Sequence, residues 1–151
     1  MHSLDVMEKK RIEEFIKQYA DSVANADFEK IVSHYPDRFV LSTQKHYLDI
    51  TNNDEFKTNL AKSFEVYKTL GAKFCNLIKF DIITFPSNHC MANVEWGLFD
   101  DDSNLLMTFD ISYCIKEMNG DLKYIFVIAH NEEEHIEEYL RKNETNKQIN
   151  K

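Results

Sequence analysis

Between Leu4 and Ala24 the apolar residues Ile12, Phe15, Ile16, Tyr19 and Val23 return at intervals of three and four, with Glu13, Glu14, Lys17, Gln18 and Asp21 between them. That spacing predicts a long first helix with one apolar stripe. Asn25 is suited to close it in a left-handed conformation. Asp27 is placed to cap a short second helix carrying Phe28, Ile31, Val32 and Tyr35 on one side, and Pro36 stops that helix. A short strand follows over Phe39–Thr43, then the run His46–Ile50. The short polar side chains of Thr51, Asn52, Asn53 and Asp54 favour a helix cap. Phe56, Leu60, Phe64 and Tyr67 form the stripe of a third helix, which Gly71 ends.

After Gly71 the rhythm becomes extended, with runs near Lys73–Phe85, His89–Phe99, Leu105–Lys116 and Leu122–His130 rich in Ile, Phe, Val, Thr and Tyr. Short polar connections at Pro86–Asn88, Asp100–Asn104 and Met118–Asp121 predict antiparallel hairpins. Three helices followed by such strands make an α+β domain in which the sheet curves around the helices to bury its apolar face. Ile136, Tyr139 and Leu140 hold down at most a final helix turn or two. The ordered domain is therefore expected to span residues 1–141, with a disordered charged tail over 142–151. One strand is apolar on both sides, with Phe109, Ile111, Tyr113 and Ile115 on one face and Leu106, Thr108, Asp110, Ser112 and Cys114 on the other. The helices cover one face. A second protomer is the economical cover for the other, which predicts a homodimer through the outer sheet face.

Composition narrows the function classes. The 151 residues carry 18 Lys and Arg against 26 Asp and Glu, a net charge of −8 with no basic stripe, which argues against nucleic acid as a partner. No run approaches the apolar length of a membrane span, and acids stand where a signal peptide needs an apolar core. A soluble cytoplasmic protein with no membrane partner is expected. Cys75, Cys90 and Cys114 are odd in number and never spaced C-x-x-C, and so read as reduced thiols. His130 and His135 flank Glu132, Glu133 and Glu134 without the H-E-x-x-H spacing. That run reads as a solvated face, and no metal is expected. With three Gly, no phosphate-cradling loop and no G-x-S-x-G, cofactor-free chemistry or none remains.

Three stretches resemble the superfamily named for nuclear transport factor 2, which includes SnoaL-like polyketide cyclases, ketosteroid isomerases and scytalone dehydratase. Phe15-Ile16-Lys17-Gln18-Tyr19 through Ala24-Asn25-Ala26-Asp27-Phe28-Glu29-Lys30-Ile31-Val32 is similar to the family's opening helix, corner and second helix. Ala92-Asn93-Val94-Glu95-Trp96-Gly97-Leu98 is similar to its alternating strand, and Phe109–Tyr113 with Asn119–Lys123 to its closing hairpin. The resemblance implies a cone-shaped, cystatin-like fold, a curved antiparallel sheet wrapped around three N-terminal helices, with a funnel that receives small hydrophobic molecules. It also implies a site in which a helix tyrosine and a protonated strand carboxyl stabilise an enolate oxygen. Tyr19 and Asp110 fall on those positions, while Thr43 falls where the family's general base would stand and cannot serve as one near neutral pH. By the same geometry Tyr35 and Phe64 line the funnel.

The residues themselves sharpen these candidates. Hairpin parity sets Asp110 across from Ala129 on one side and Val94 on the other, near Trp96, an apolar wall that would raise its pKa. Trp96 is placed to stack on a flat ligand. His46 or His130 could move the proton that Thr43 cannot, although parity puts His130 on the face opposite Asp110. The expected site is thus Asp110, Tyr19 and His46 for chemistry, with Tyr35, Thr43, Phe64, Trp96 and Ala129 around the ligand. Three functions follow. The first is a small-molecule-binding module lacking a base. The second is a cofactor-independent isomerase, lyase or cyclase acting on a hydrophobic carbonyl compound. The third is a protein-interaction or dimerisation module using the outer sheet.

Overall fold

The computed structural model of the chain describes the backbone of residues 6–149 and the side chains of residues 8–144. Its elements run α1 (Val6–Ala24), α2 (Phe28–Val32), β1 (Arg38–Ser42), β2 (Tyr47–Thr51), α3 (Asp54–Thr69), β3 (Phe74–Thr84), β4 (His89–Phe99), β5 (Leu105–Met118), β6 (Asp121–Ala129) and α4 (Glu132–Ile149). This is the expected α+β order.

The helix ends follow local chemistry. Ala26 (φ 51°) takes the left-handed position that the sequence assigns to Asn25. The closing bonds run from Asp27 N to Ser22 O and from Ala26 N to Val23 O, a pattern that sets the left-handed residue one place later. Asp27 and Asn53 cap α2 and α3, accepting from the backbone N–H of Lys30 and Phe56. Asn119 and Gly120, both at positive φ, make the tight turn between β5 and β6.

The sheet order is β2-β1-β6-β5-β4-β3. Every neighbouring pair is antiparallel except β1 and β6, which run parallel. No hairpin joins those two strands, so packing of the intervening elements sets their direction. The inner face of α1, with Ile12, Ile16, Tyr19, Ala20 and Val23, is buried in one core with Ala92, Val94, Trp96, Leu98, Ile115 and Tyr124 of the sheet.

Three residues are unpaired bulges. Ile78 interrupts β3 against β4, Leu106 interrupts β5 against β4, and Ile125 interrupts β6 against β5. Each bends the sheet and reverses the inward and outward alternation beyond it.

Helix α4 runs from Glu132 through Ile149, across the end expected at Arg141, and residues 150 and 151 lie outside the described residues. Glu132, Glu133 and Glu134 in its first turn complement the helix dipole, and Lys142 pairs with Glu138 at 3.4 Å. The Tyr139 hydroxyl donates to Leu70 O at 3.2 Å, and Lys45 pairs with Glu137 at 2.8 Å, tying the helix to the body. The three cysteines are free thiols. Among the described residues no helix is long and apolar enough to cross a membrane.

Candidate functional site: a funnel between helices and sheet

The apolar stripe of α3 does not close against the sheet. Phe56, Leu60, Phe64 and Tyr67 face a hollow of about 400 Å³ whose other walls are α1, the end of α2, β1, the start of β3, β4, β5, β6 and the start of α4. None of the α3 residues is fully buried, because the stripe looks into this space.

The deepest part of the hollow holds phenol hydroxyls. Tyr19 and Tyr35 share a hydrogen bond at 2.6 Å, and Trp96 Nε1 donates to the Tyr113 hydroxyl at 3.0 Å. Burial, then the neighbouring Tyr113 and Tyr124, hold the Tyr19 hydroxyl well above its ordinary range. Burial and Tyr19 do the same for Tyr35. All three stay protonated near neutral pH. Tyr35 and Tyr19 share one proton, Tyr19 is also hydrogen-bonded with Tyr113, and Tyr113 keeps its own proton after accepting from Trp96. The floor therefore retains an O–H donor in an otherwise aromatic and aliphatic setting.

A carboxyl group stands in the wall. Glu132, in the first turn of α4, lines the hollow and accepts a hydrogen bond from the Tyr67 hydroxyl. Burial pushes the Glu132 carboxyl above its usual range, the Tyr67 bond pulls it back, and Glu133 raises it further. This acid, with Tyr67, is the feature that the sequence reading missed. Glu132 belongs to the acid run taken for a solvated face, and Tyr67 was visible only as one member of a helix stripe.

Of the expected ligand-binding residues, Tyr35, Thr43, Phe64, Trp96 and Ala129 all line the hollow, as does Tyr19. Thr43 Oγ1 accepts the backbone N–H groups of Lys45 and His46 and so shapes the β1–β2 turn at the mouth. His46 stands exposed on that rim, its Nδ1 3.5 Å from both Thr43 Oγ1 and Glu133 Oε1.

Asp110 lies elsewhere, and its expected placement is corrected. It pairs with Glu95, and Ile111 takes the place across from Val94 and Ala129. The bulges at Leu106 and Ile125 each move the register by one residue, which turns Ile111 inward and Asp110 outward. Asp110 sits on the outer face near Lys79, Glu95, Ser112 and His130. Its carboxylate accepts from Asn131 Nδ2 at 2.9 Å while its N–H donates to Asn131 Oδ1 at 2.7 Å, an arrangement that pins the end of β6. His130 is therefore on the same face as Asp110, not the opposite one. Ser112 donates its one proton to Asn93 Oδ1 at 2.5 Å, so His130 Nε2, 2.8 Å from Ser112 Oγ, acts as a donor there and not as a base.

Comparison with known proteins places this geometry. No curated protein matches the sequence significantly. A protein of unknown function with a cystatin-like fold from Nostoc punctiforme superposes with a TM-score of 0.66 at 12% identity, covering 85% of this chain and 94% of that one. An NTF-2 like protein of unknown function from Shewanella oneidensis gives 0.65 at 10% identity, covering 81% and 98%. An NTF2-like protein of unknown function from Pseudomonas putida gives 0.64 at 12%, covering 82% and 86%. At such identities the likeness is one of fold. The family model described as NTF2-like protein (DUF6841) matches residues 8–132, from α1 to the acid at the start of α4, and the chain belongs to that family.

Proposed function

We propose that the chain is a small-molecule-binding protein whose funnel receives a compact, largely apolar molecule carrying an oxygen that the floor hydroxyls can hold. The observation that supports this most is the α3 wall, a helix with four apolar side chains turned into a hollow and no residue fully buried. Leaving that surface wet is unfavourable, and an apolar guest of matching size would remove it from water. The volume, about 400 Å³, falls within the usual range of small-molecule sites.

The reading has a built-in reporter, because Trp96 is the chain's one tryptophan and lines the funnel. Titrating the protein with 2-naphthalenemethanol should move the single indole N–H resonance and give a saturable curve. Ala129→Phe, which fills the funnel from β6, should abolish the shift while the far-UV circular dichroism stays unchanged. An indole resonance that does not move, or a shift that survives the filled funnel, would overturn the reading.

The alternative of isomerase, lyase or cyclase chemistry through Tyr19 and Asp110 loses support from the register, since the two side chains lie on opposite faces of the sheet. Self-association is a compatible second property. Ile78, Ile83 and Leu105, at 40%, 47% and 51% exposed, lie on the outer face, where Lys79 stands among Asp81, Glu95 and Asp110. A two-fold copy would bury the first group and let each Lys79 meet the other copy's acids. Sedimentation at micromolar concentration should report twice the monomer mass, and Ile83→Glu should return it to one.

A further inference from the structure

The charges around the funnel are of one sign. Glu132 and Glu133 line it, and among the described residues no Lys or Arg does. At the mouth Lys45 is paired with Glu137 at 2.8 Å, and the His46 ring lies 3.5 Å from the lining Glu133. Glu132 is different from its neighbour. It accepts one hydrogen bond from Tyr67, whereas a carboxylate offers about four acceptor sites.

Aromatic rings gather at the same place. Phe64 and Phe109 stand next to Tyr67 with ring centroids 5.5 and 6.2 Å away, and all three line the funnel. A buried carboxyl bonded to one ring of an aromatic group is a chemistry suited to an organic ammonium. The acid supplies the counter-charge, the rings supply cation–π attraction, and the alkyl or aryl body of the ligand displaces water from the apolar walls. An anion in the same place would meet two carboxyl groups and, among the described residues, no lining Lys or Arg.

Resting on the proposal that the funnel is a ligand site, we infer that its occupant is an apolar amine, with its nitrogen at Glu132 and Tyr67 and its hydrocarbon body against α3 and the sheet. Burial raises the Glu132 carboxyl in the empty funnel, and an ammonium group gives it a reason to ionise. Glu132 is then the residue that sets specificity, separating amines from alcohols and carboxylates of the same shape.

The test uses the full chain labelled with ¹⁵N and three molecules that share one body: 2-naphthylmethylamine, 2-naphthalenemethanol and 2-naphthylacetate. Each is titrated at pH 7 while the Trp96 indole resonance is followed. The amine should bind about tenfold or more tightly than the alcohol, the range expected for a hydrogen bond to a charged group, and the acetate should bind least. Glu132→Gln should bring the amine-to-alcohol ratio to about one, and Glu132→Asp should restore part of it. The wild-type ratio decides by itself should a variant fold poorly. If the alcohol or the acetate binds as tightly as the amine, or if the preference survives Glu132→Gln, the amine assignment is overturned and the funnel reading stands. If none of the three moves the resonance, the funnel reading falls with it.

Discussion

At the scale of single residues, two buried titratable groups push stability in opposite directions as pH changes. The Glu132 carboxyl is raised above 4.5, chiefly by burial, so the folded state holds its proton more tightly than the unfolded chain does. Its contribution is complete below about 4.5 and is lost as pH rises through the folded value. Glu132→Gln removes that loss. The melting temperature of the variant should therefore rise relative to the wild type's as pH goes from 5 to 8. A difference that does not change with pH would mean a solvated carboxyl. His34 has the other sign. It is buried beside Phe15, Tyr19 and Tyr124, its Nδ1 lies 2.7 Å from Lys30 O, and desolvation lowers it below 6.5. The unfolded chain then binds the extra proton first, so this contribution is present above 6.5 and is lost as pH falls beneath it. A proton NMR titration should find the His34 midpoint below 6.5.

At the scale of elements, the long strands owe their placement to turns and bulges that differ in how openly the sequence declares them. Asn119-Gly120 announces its tight turn, and Gly120 at φ +87° has open space where a Cβ would stand, so Gly120→Ala tests conformational strain alone. It should cost about 1 kcal/mol in denaturant unfolding, with an unchanged slope. The bulges at Leu106 and Ile125 carry no such signature. Deleting Leu106 would remove the bulge and leave the other β4–β5 pairs as they are, with Asp110 across from Glu95 and Ile111 across from Val94. The variant should therefore keep a dispersed amide spectrum, and a loss of dispersion would mean that the bend at Leu106 is itself needed to close the fold. Tyr19, Tyr35, Phe64, Trp96 and Ala129 were legible as funnel residues because each sits on the strong apolar side of its element or at a position fixed by the resemblance. Asp110 was misplaced because strand parity holds only where no residue is skipped. Glu132 went unnoticed because an acid run at a helix start looks alike whether its first member meets water or a cavity.

At the scale of the whole molecule, the net charge of −8 and the acidic mouth predict a further dependence. Binding of a cationic ligand should weaken as salt rises from 0.05 to 0.5 M, by about severalfold, while binding of a neutral one should hold steady or tighten slightly. Equal salt dependence for both would place the ligand away from Glu132 and Glu133. The sequence by itself determined the first three helices, the long strands, their order and the α+β class, because the apolar periods, caps and turn residues that set these act over a few neighbouring positions. Only the tertiary structure decided which side of β5 faces inward, that β1 joins the sheet parallel to β6, and that α4 runs to Ile149 and brings Glu132 over the hollow. Those outcomes depend on register and on packing between residues far apart in the chain, where one skipped residue in a strand exchanges its inner and outer faces.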